Sequence, residues 1–282
     1  MARRYSLDPA MPVLLRPDGT VQVGWDPRRA VMVRPPEGLT TAALAGVLRL
    51  MQANAGLDDL TREAVRHGAA DATSVDGLVT ALVGAGVARP SRTDRPGRAP
   101  AIRVHGRGPL ADLVLEALRC SGARIKHSSQ PHALVNAEGI DLVVLTDFLV
   151  AEPRLLRELH EARVPHLQVR VRDGVGLVGP LVLPGLTSCL GCADLHRSDR
   201  DAAWPAVAAQ LRDTVGAANR ATVLATAALA LSQIDTVLTA IRGEHGPAGP
   251  PRPATLSATL EFDASTSSIA TRHWPRHPMC PC

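Results

Sequence analysis

The side chains with the most definite chemistry in this sequence are sulfurs. Four of the five cysteines stand in two close pairs, Cys189-Leu190-Gly191-Cys192 following Thr187-Ser188, and Cys280-Pro281-Cys282. A C-x2-C and a C-x-C, each with a Gly or Pro in a tight turn, can each offer two neighbouring corners of a tetrahedron. Zinc takes four such ligands at about 2.3 Å. Two other chemistries use cysteine pairs. A redox C-x-x-C opens a helix after a strand and needs no second pair. A disulfide framework belongs to exported chains, whereas Met1 to Pro12 holds Arg3 and Arg4 with no apolar run of a signal peptide behind them. Structural zinc on Cys189, Cys192, Cys280 and Cys282 is the expectation, and it would tie the middle of the sequence to its end. A catalytic zinc is disfavoured, since four thiolates leave no position for water.

These ligands must be held by a chain of 282 residues, 45% hydrophobic and 21% charged, which is ordinary for a soluble globular protein of about two domains. Aromatic residues make up 2%, so the core must be built from Ala, Val and Leu, which suits parallel strands and closely packed helices. The net charge of +4 is spread along the chain and gives nucleic-acid binding no support. Lys126 is the only lysine, so any lysine chemistry has one candidate. The longest apolar stretch, Ala221 to Ile241, contains Thr222, Thr226, Ser232, Gln233 and Asp235. It reads as a buried or dimer-facing helix, not a membrane span, and the chain as cytoplasmic.

The first 89 residues read as a small α+β domain. Extended runs at Val13 to Arg16, Val21 to Trp25 and Ala30 to Arg34 are separated by the turns Pro17-Asp18-Gly19 and Asp26-Pro27. Helices are expected at Thr40 to Gln52, Asp58 to His67 and Ser74 to Ala85, with Thr40, Asp58 and Thr73 or Ser74 as N-caps and Gly86 as a stop. A sheet with three short helices is winged-helix-like. The last helix holds Asp76 and no basic residue, which argues against reading DNA; an exposed sheet edge fits capture of an extended peptide. A scaffold that binds nothing is the plain alternative. Ala88 to Pro100, with its prolines and arginines, reads as a linker centred on residues 90–100.

From Ala101 to Cys282 the pattern is α/β and Rossmann-like. Ala101 to His105, then Gly106-Arg107-Gly108-Pro109-Leu110-Ala111, then an apolar helix to Leu118, is a strand, G-x-G-x-x-A and helix that admits a phosphate at the helix N-terminus. The second strand, Ala123 to His127, does not end in the Asp or Glu that would hold a ribose. Asp141 to Thr146 is a buried strand with Asp147 at its carboxyl end, either a ligand contact or a turn or capping aspartate. A crossover helix (Glu152 to Ala162), a strand (Val164 to Val171) and a hairpin-like run (Gly176 to Leu183) lead to the first cysteine pair. The charge run Asp194 to Asp201 reads as a solvated helix and cap. Helices at Ala206 to Arg212 and Gly216 to Arg242, a break at Gly243 to Pro253, and strands at Thr255 to Phe262 and Ser267 to His273 complete the chain.

Taken in order, the Gly-rich opening, the Asp141-to-Asp147 strand, Gly179-Pro180-Leu181-Val182-Leu183-Pro184 leading to Cys189-Leu190-Gly191-Cys192, and the final cysteine pair resemble the ThiF and ubiquitin-activating, E1-like superfamily. Cys189 to Trp204 and His277-Pro278-Met279-Cys280-Pro281-Cys282 look most like the actinobacterial E1-like partners of YcaO cyclodehydratases, in azole-forming (TOMM, bacteriocin-type) peptide biosynthesis. The resemblance implies a leader-peptide-binding, substrate-presenting subunit with a winged-helix peptide recognition domain, a YcaO partner, a homodimer and a zinc clasp. It also implies departures. The adenylating members' Asn-x-x-Arg run has no counterpart between Ser128 and Asp141, and Lys126 comes too early for their phosphate-binding lysine. Of their nucleotide contacts only Gly106, Gly108 and Asp147 carry over, which argues against ATP chemistry. Cys120, before Ser121-Gly122, reads as packing and not as a catalytic thiol. The family's second pair is C-x-x-C where this chain has C-x-C, so His277 is an alternative to Cys282 as fourth ligand. The competing functional readings are an ATP-dependent adenylyltransferase acting on a carboxyl terminus, and a zinc-bearing DNA regulator.

Overall fold

In the computed structural model, residues 4–68, 73–91, 98–130, 138–243, 249 and 252–282 are described. Two units pack separately, Met1–Pro96 with Gly246–Gly249, and Gly97–His245 with Pro250–Cys282.

The first unit contains β1 (Arg4–Leu7), β2 (Val13–Leu15), β3 (Val21–Val23), β4 (Val31–Val33), α1 (Thr41–Gln52), β5 (Ala55–Gly56), α2 (Leu57–Arg66), α3 (Thr73–Gly84) and β6 (Ala88–Ser91). Its three expected strands form the antiparallel sheet β2-β3-β4. Thr40 caps α1, its hydroxyl accepting from the Ala43 amide at 3.0 Å. Asp58 does not cap α2; Gly56 does, and Asp59 accepts from its amide at 3.4 Å, since the third helical position is the one that reaches back. The helix α3 already includes Thr73 and Ser74, so its cap lies outside the described residues. A second antiparallel sheet, β5-β1-β6, places Ala88–Ser91, expected as linker, in a strand against Arg4–Leu7. Val21, Val23, Leu44, Leu48, Met51 and Leu60 are fully buried at the centre of this unit.

The second unit is a mixed seven-stranded sheet in the order β13-β12-β11-β10-β9-β7-β8. Its strands are β7 (Ala101–His105), β8 (Arg124–Ser128), β9 (Leu142–Thr146), β10 (His166–Arg172), β11 (Val175–Val182), β12 (Ala258–Asp263) and β13 (Ser268–His273); its helices are α4 (Pro109–Leu118), α5 (Pro153–Glu161), α6 (Leu190–Ser198), α7 (Trp204–Leu211) and α8 (Arg220–Arg242). Strands β8, β7, β9 and β10 are parallel and the rest antiparallel. Alternation decides which helix packs where. Ile102, Val104, Leu142 and Val144 join α4 and α8 on one face, while Ala101, Val143 and Leu145 join α5 and the first cysteine pair on the other. The expected hairpin at Gly176 to Leu183 is instead one long strand. Its turn lies earlier, at Asp173 and Gly174, whose φ angles of 52° and 80° are those of a tight reversal.

Helix α8 is long and apolar enough to cross a membrane by length and composition. It packs Ala227, Ala230, Ile234 and Leu238 into the sheet, and Gln233 accepts from the Thr255 amide and hydroxyl at 3.3 Å each. It begins at Asn219, which caps the Thr222 amide at 2.8 Å, rather than at Gly216.

Candidate metal centre and filled phosphate seat

The strand order reverses between β7 and β9, which makes the carboxyl ends of these strands the place where open α/β sheets bind ligands. Here the chain fills that place itself. Asp147, 2% exposed, accepts from the Leu110 amide at 3.0 Å and from the Ala111 amide at 2.9 Å. Both belong to the first turn of α4, where the orphan amides and the helix dipole would draw a phosphate. The glycines serve this closure. A Cβ on Gly106 would lie 2.1 Å from Thr146 Oγ1, and one on Gly108 2.6 Å from Asp147 Oδ1. Burial raises the Asp147 carboxyl above its usual value, with the two amides working against the rise. The adjoining cleft, lined by His105, Thr146, Phe148, Glu152, Gln168 and Arg212, encloses about 10 Å³, the room of about one water. The segment searched for an Asn-x-x-Arg run lies largely at 131–137, outside the described residues.

Histidines at the ends of these strands are held neutral. His105 hydrogen-bonds Ser128 Oγ at 2.9 Å, and burial, reinforced by Arg103 and His127, lowers it from 6.5 to about 4. His166 is fully buried, hydrogen-bonds the Val164 carbonyl at 3.0 Å and is lowered by burial to about 4. The unfolded chain binds more protons than the folded one between these values and 6.5. Stability from both histidines is therefore complete above pH 6.5 and is lost as pH falls towards 4, by about 3 kcal/mol each. Asp147 acts with the opposite sign, in a window that opens at its usual value of 3.8. Urea midpoints taken between pH 7 and pH 4.5 should fall steeply, and His166→Gln should flatten the slope. A flat profile in the parent chain would remove this account.

The sulfurs meet as their spacing implies. Sγ of Cys189 lies 3.7 Å from that of Cys192 and 3.5 Å from that of Cys280, and Cys192 and Cys282 are 3.4 Å apart. These separations are far beyond a disulfide bond of about 2.05 Å. They approach the roughly 3.8 Å edges of a tetrahedron whose centre stands about 2.3 Å from each sulfur. All four are free, and all offer their ligand atoms within 4.8 Å of one another. Cys189 is the N-cap of α6 and its sulfur accepts from the Cys192 amide at 3.4 Å, while the residues after β13 bring in the second pair. His277 is turned away from the cluster, with Nε2 2.8 Å from Asp199 Oδ2; the fourth sulfur is that of Cys282. Burial pushes the Cys189 thiol far up and Cys282 to about 11. At Cys192 burial is outweighed by hydrogen bonds from the Cys189 and His277 main chain, which bring it down to about 7. Four such thiols ionise together only if a cation takes up their charge, and soft divalent metals are what such a donor set suits.

Of the run from Asp194 to Asp201, expected as a solvated helix and cap, Asp194 to Ser198 are half buried, while Asp199, the C-cap of α6, and Arg200 and Asp201 are exposed. Arg197 lies between two indoles, 5.1 Å from the ring centres of Trp204 and Trp274. Asp194 accepts from Arg197 at 2.8 Å and from Trp204 Nε1 at 3.2 Å. Two tryptophans in a chain this poor in aromatics were the available signal.

No family model matches the sequence, and no curated protein does. Among solved structures, the heterocyclase TruD has the same fold at TM-score 0.69 and 16% identity, over 99% of this chain and 42% of that one. A heterocyclase in complex with substrate and cofactor matches at TM-score 0.69 and 14% identity, over 99% of this chain and 39% of that one. MccB from E. coli, in a structure with ATP, follows at TM-score 0.56 and 11% identity, over 99% of both chains. The chain thus spans about two-fifths of the heterocyclase chains it matches. At these identities the likeness is one of fold.

Proposed function

We propose that the chain is the leader-peptide-binding, substrate-presenting subunit of an azoline-forming cyclodehydratase, working with an ATP-dependent YcaO partner in the maturation of a ribosomal peptide. The observation that carries this reading is the fold shared with TruD along 99% of the chain but only 42% of TruD, as expected of one part of a heterocyclase. In this reading residues 1–89 are a winged-helix-type recognition domain and residues 101–282 a Rossmann-like, E1-like domain. The four cysteines hold structural zinc. That metal would supply cross-linking of α6 to the segment after β13, with no open position for substrate. The protein works in the cytoplasm as a homodimer and contacts neither nucleic acid nor membrane. The filled seat at α4 supports a supporting role over an adenylyltransferase, because phosphate has no free helix N-terminus there.

The leader would add as a strand to β4. Among the described residues its outer edge has no strand partner, and Met32 is 50% exposed on it. Successive amides of a strand point to opposite edges. One of Met32→Pro and Val33→Pro therefore removes an outward amide, and the other removes a bond to β3. The neighbouring gene's leader peptide, labelled and titrated by anisotropy, should bind the full chain at micromolar concentration. The outward-facing proline should weaken binding at least about tenfold, the order of one lost charge-free hydrogen bond plus its neighbours, with the circular dichroism unchanged. Absence of binding, or equal binding by both variants, defeats the reading.

A further inference from the structure

The two cysteine pairs are held by different means. The first is built into the N-terminus of α6. The second lies after β13 in a segment with no regular structure, yet that segment is anchored throughout. Trp274 donates from Nε1 to Thr259 Oγ1 at 3.0 Å and from its amide to the Ser257 carbonyl at 2.8 Å. Arg276 donates to the Gly185 carbonyl, beside the first pair. The contacts then converge on His277, 7% exposed. Its Nδ1 accepts from the Met279 amide at 3.1 Å, its carbonyl accepts from the Cys280 amide at 3.0 Å, and Nε2 lies 2.8 Å from Asp199 Oδ2.

An amide only donates, so Nδ1 of His277 is the bare nitrogen and Nε2 carries the proton, which it gives to the Asp199 carboxylate. This tautomer decides between two roles. His196, Asp199 and His277 place ligand atoms within 4.8 Å of one another, like a second metal site. A cation on Nε2 would need that nitrogen bare while Nδ1 still accepts a hydrogen bond, which requires an imidazolate. His196 meanwhile turns its Nε2 to the Pro275 carbonyl at 3.2 Å and sets its ring edge to face with His277, centres 4.7 Å apart.

We propose that His277 and Asp199 are positioning residues of the sulfur metal centre. The imidazole, fixed in one tautomer by Asp199, holds the Met279 amide while the His277 carbonyl holds that of Cys280, and the turn so fixed delivers the thiolates of Cys280 and Cys282 to the metal. This rests on the zinc reading, and the test separates the two. The full-length protein is loaded with Co²⁺ alone, its sulfur-to-cobalt absorption is recorded, and release to a chelator is timed. His277→Ala and Asp199→Ala should release cobalt about 10–100 times faster than the parent, the range for losing a partner behind a ligand, and should lose part of the sulfur-to-cobalt intensity. Asp199→Asn keeps an oxygen for Nε2 and should stay within a few-fold of the parent. Asp199 has a side chain 64% exposed, so its variants remove no core packing; circular dichroism of the cobalt-free proteins should be the same. If the parent shows no sulfur-to-cobalt band, the metal reading falls. If it shows the band and both alanine variants release cobalt at the parent rate with full intensity, the metal reading stands and the positioning role is overturned.

Discussion

Replacing Cys192 with serine should lower the thermal unfolding midpoint by about 10–20 °C, equivalent to roughly 5 kcal/mol in a unit of this size. The cause is the double role of this residue. Its side chain is fully buried in the cluster that joins Val143, Val182 and Leu190, and its sulfur is the thiol brought down to about 7. The serine hydroxyl neither ionises at this pH nor binds a soft metal. Three thiols left around it compete for the same ion with an open corner that water can attack. Because the apparent binding energy of a structural zinc is folding energy, on the order of 10 kcal/mol or more in small zinc domains, even partial loss is large. Scanning fluorimetry with and without a chelator provides the control. Chelation should lower the midpoint of the parent chain by a comparable amount and leave that of Cys192→Ser where it is. Equal midpoints for parent and variant, with chelator inert on both, would mean that the sulfurs hold no metal. If the centre is the proposed clasp, the proposed leader binding should persist at temperatures where the variant is folded.

What the residues disclosed in advance depends on range. The cysteine spacing, the apolar run Leu142–Leu145, and Ile102 and Val104 ahead of the glycines are local signals, and they led to the right elements in the right places. Features that depend on distant partners were less legible. Arg4–Leu7 is only four residues long, and its partners are Ala55–Gly56 and Ala88–Ser91. Pro90 made the latter look like linker, yet a proline is tolerated on an edge strand, and β6 is at the edge of its sheet. Gly179-Pro180 imitated a turn in the middle of β11, which in fact runs through it. The Asp194-to-Asp201 run is a solvated cap only from Asp199 on; the half burial of Arg197 was not legible because Trp274, which covers it, comes from the other end of the unit. For Asp147 the two roles, ligand contact or cap, differ only in whether α4 approaches closely enough for its amides to reach the carboxylate. Gly108 permits that approach, and no local pattern states it.

Asp147→Ala should destabilise the chain by about 2–4 kcal/mol, because it leaves the Leu110 and Ala111 amides buried without an acceptor, at roughly 1–3 kcal/mol for each. Part of that cost is returned, since the carboxylate itself is held in a setting that disfavours its charge. Asp147→Asn should be no milder. Its oxygen can satisfy one amide, but its NH2 then faces the other, donor against donor. Gly108→Ala should reproduce part of the effect without touching the carboxylate, by driving a methyl to within 2.6 Å of Oδ1. The decisive feature is rescue by an anion. With the carboxylate gone, two amides at a helix N-terminus form an open phosphate-type seat, so sulfate should raise the unfolding midpoint of Asp147→Ala by more than that of the parent, beyond the general effect of the salt. The same pair of proteins separates the functional readings. A presenting subunit with a self-filled seat gives no ATP-pyrophosphate exchange before or after the substitution. An adenylyltransferase gives exchange in the parent that Asp147→Ala abolishes. The first outcome is expected, because the Asp147 carboxylate already takes the two first-turn amides of α4 that a phosphate there would use.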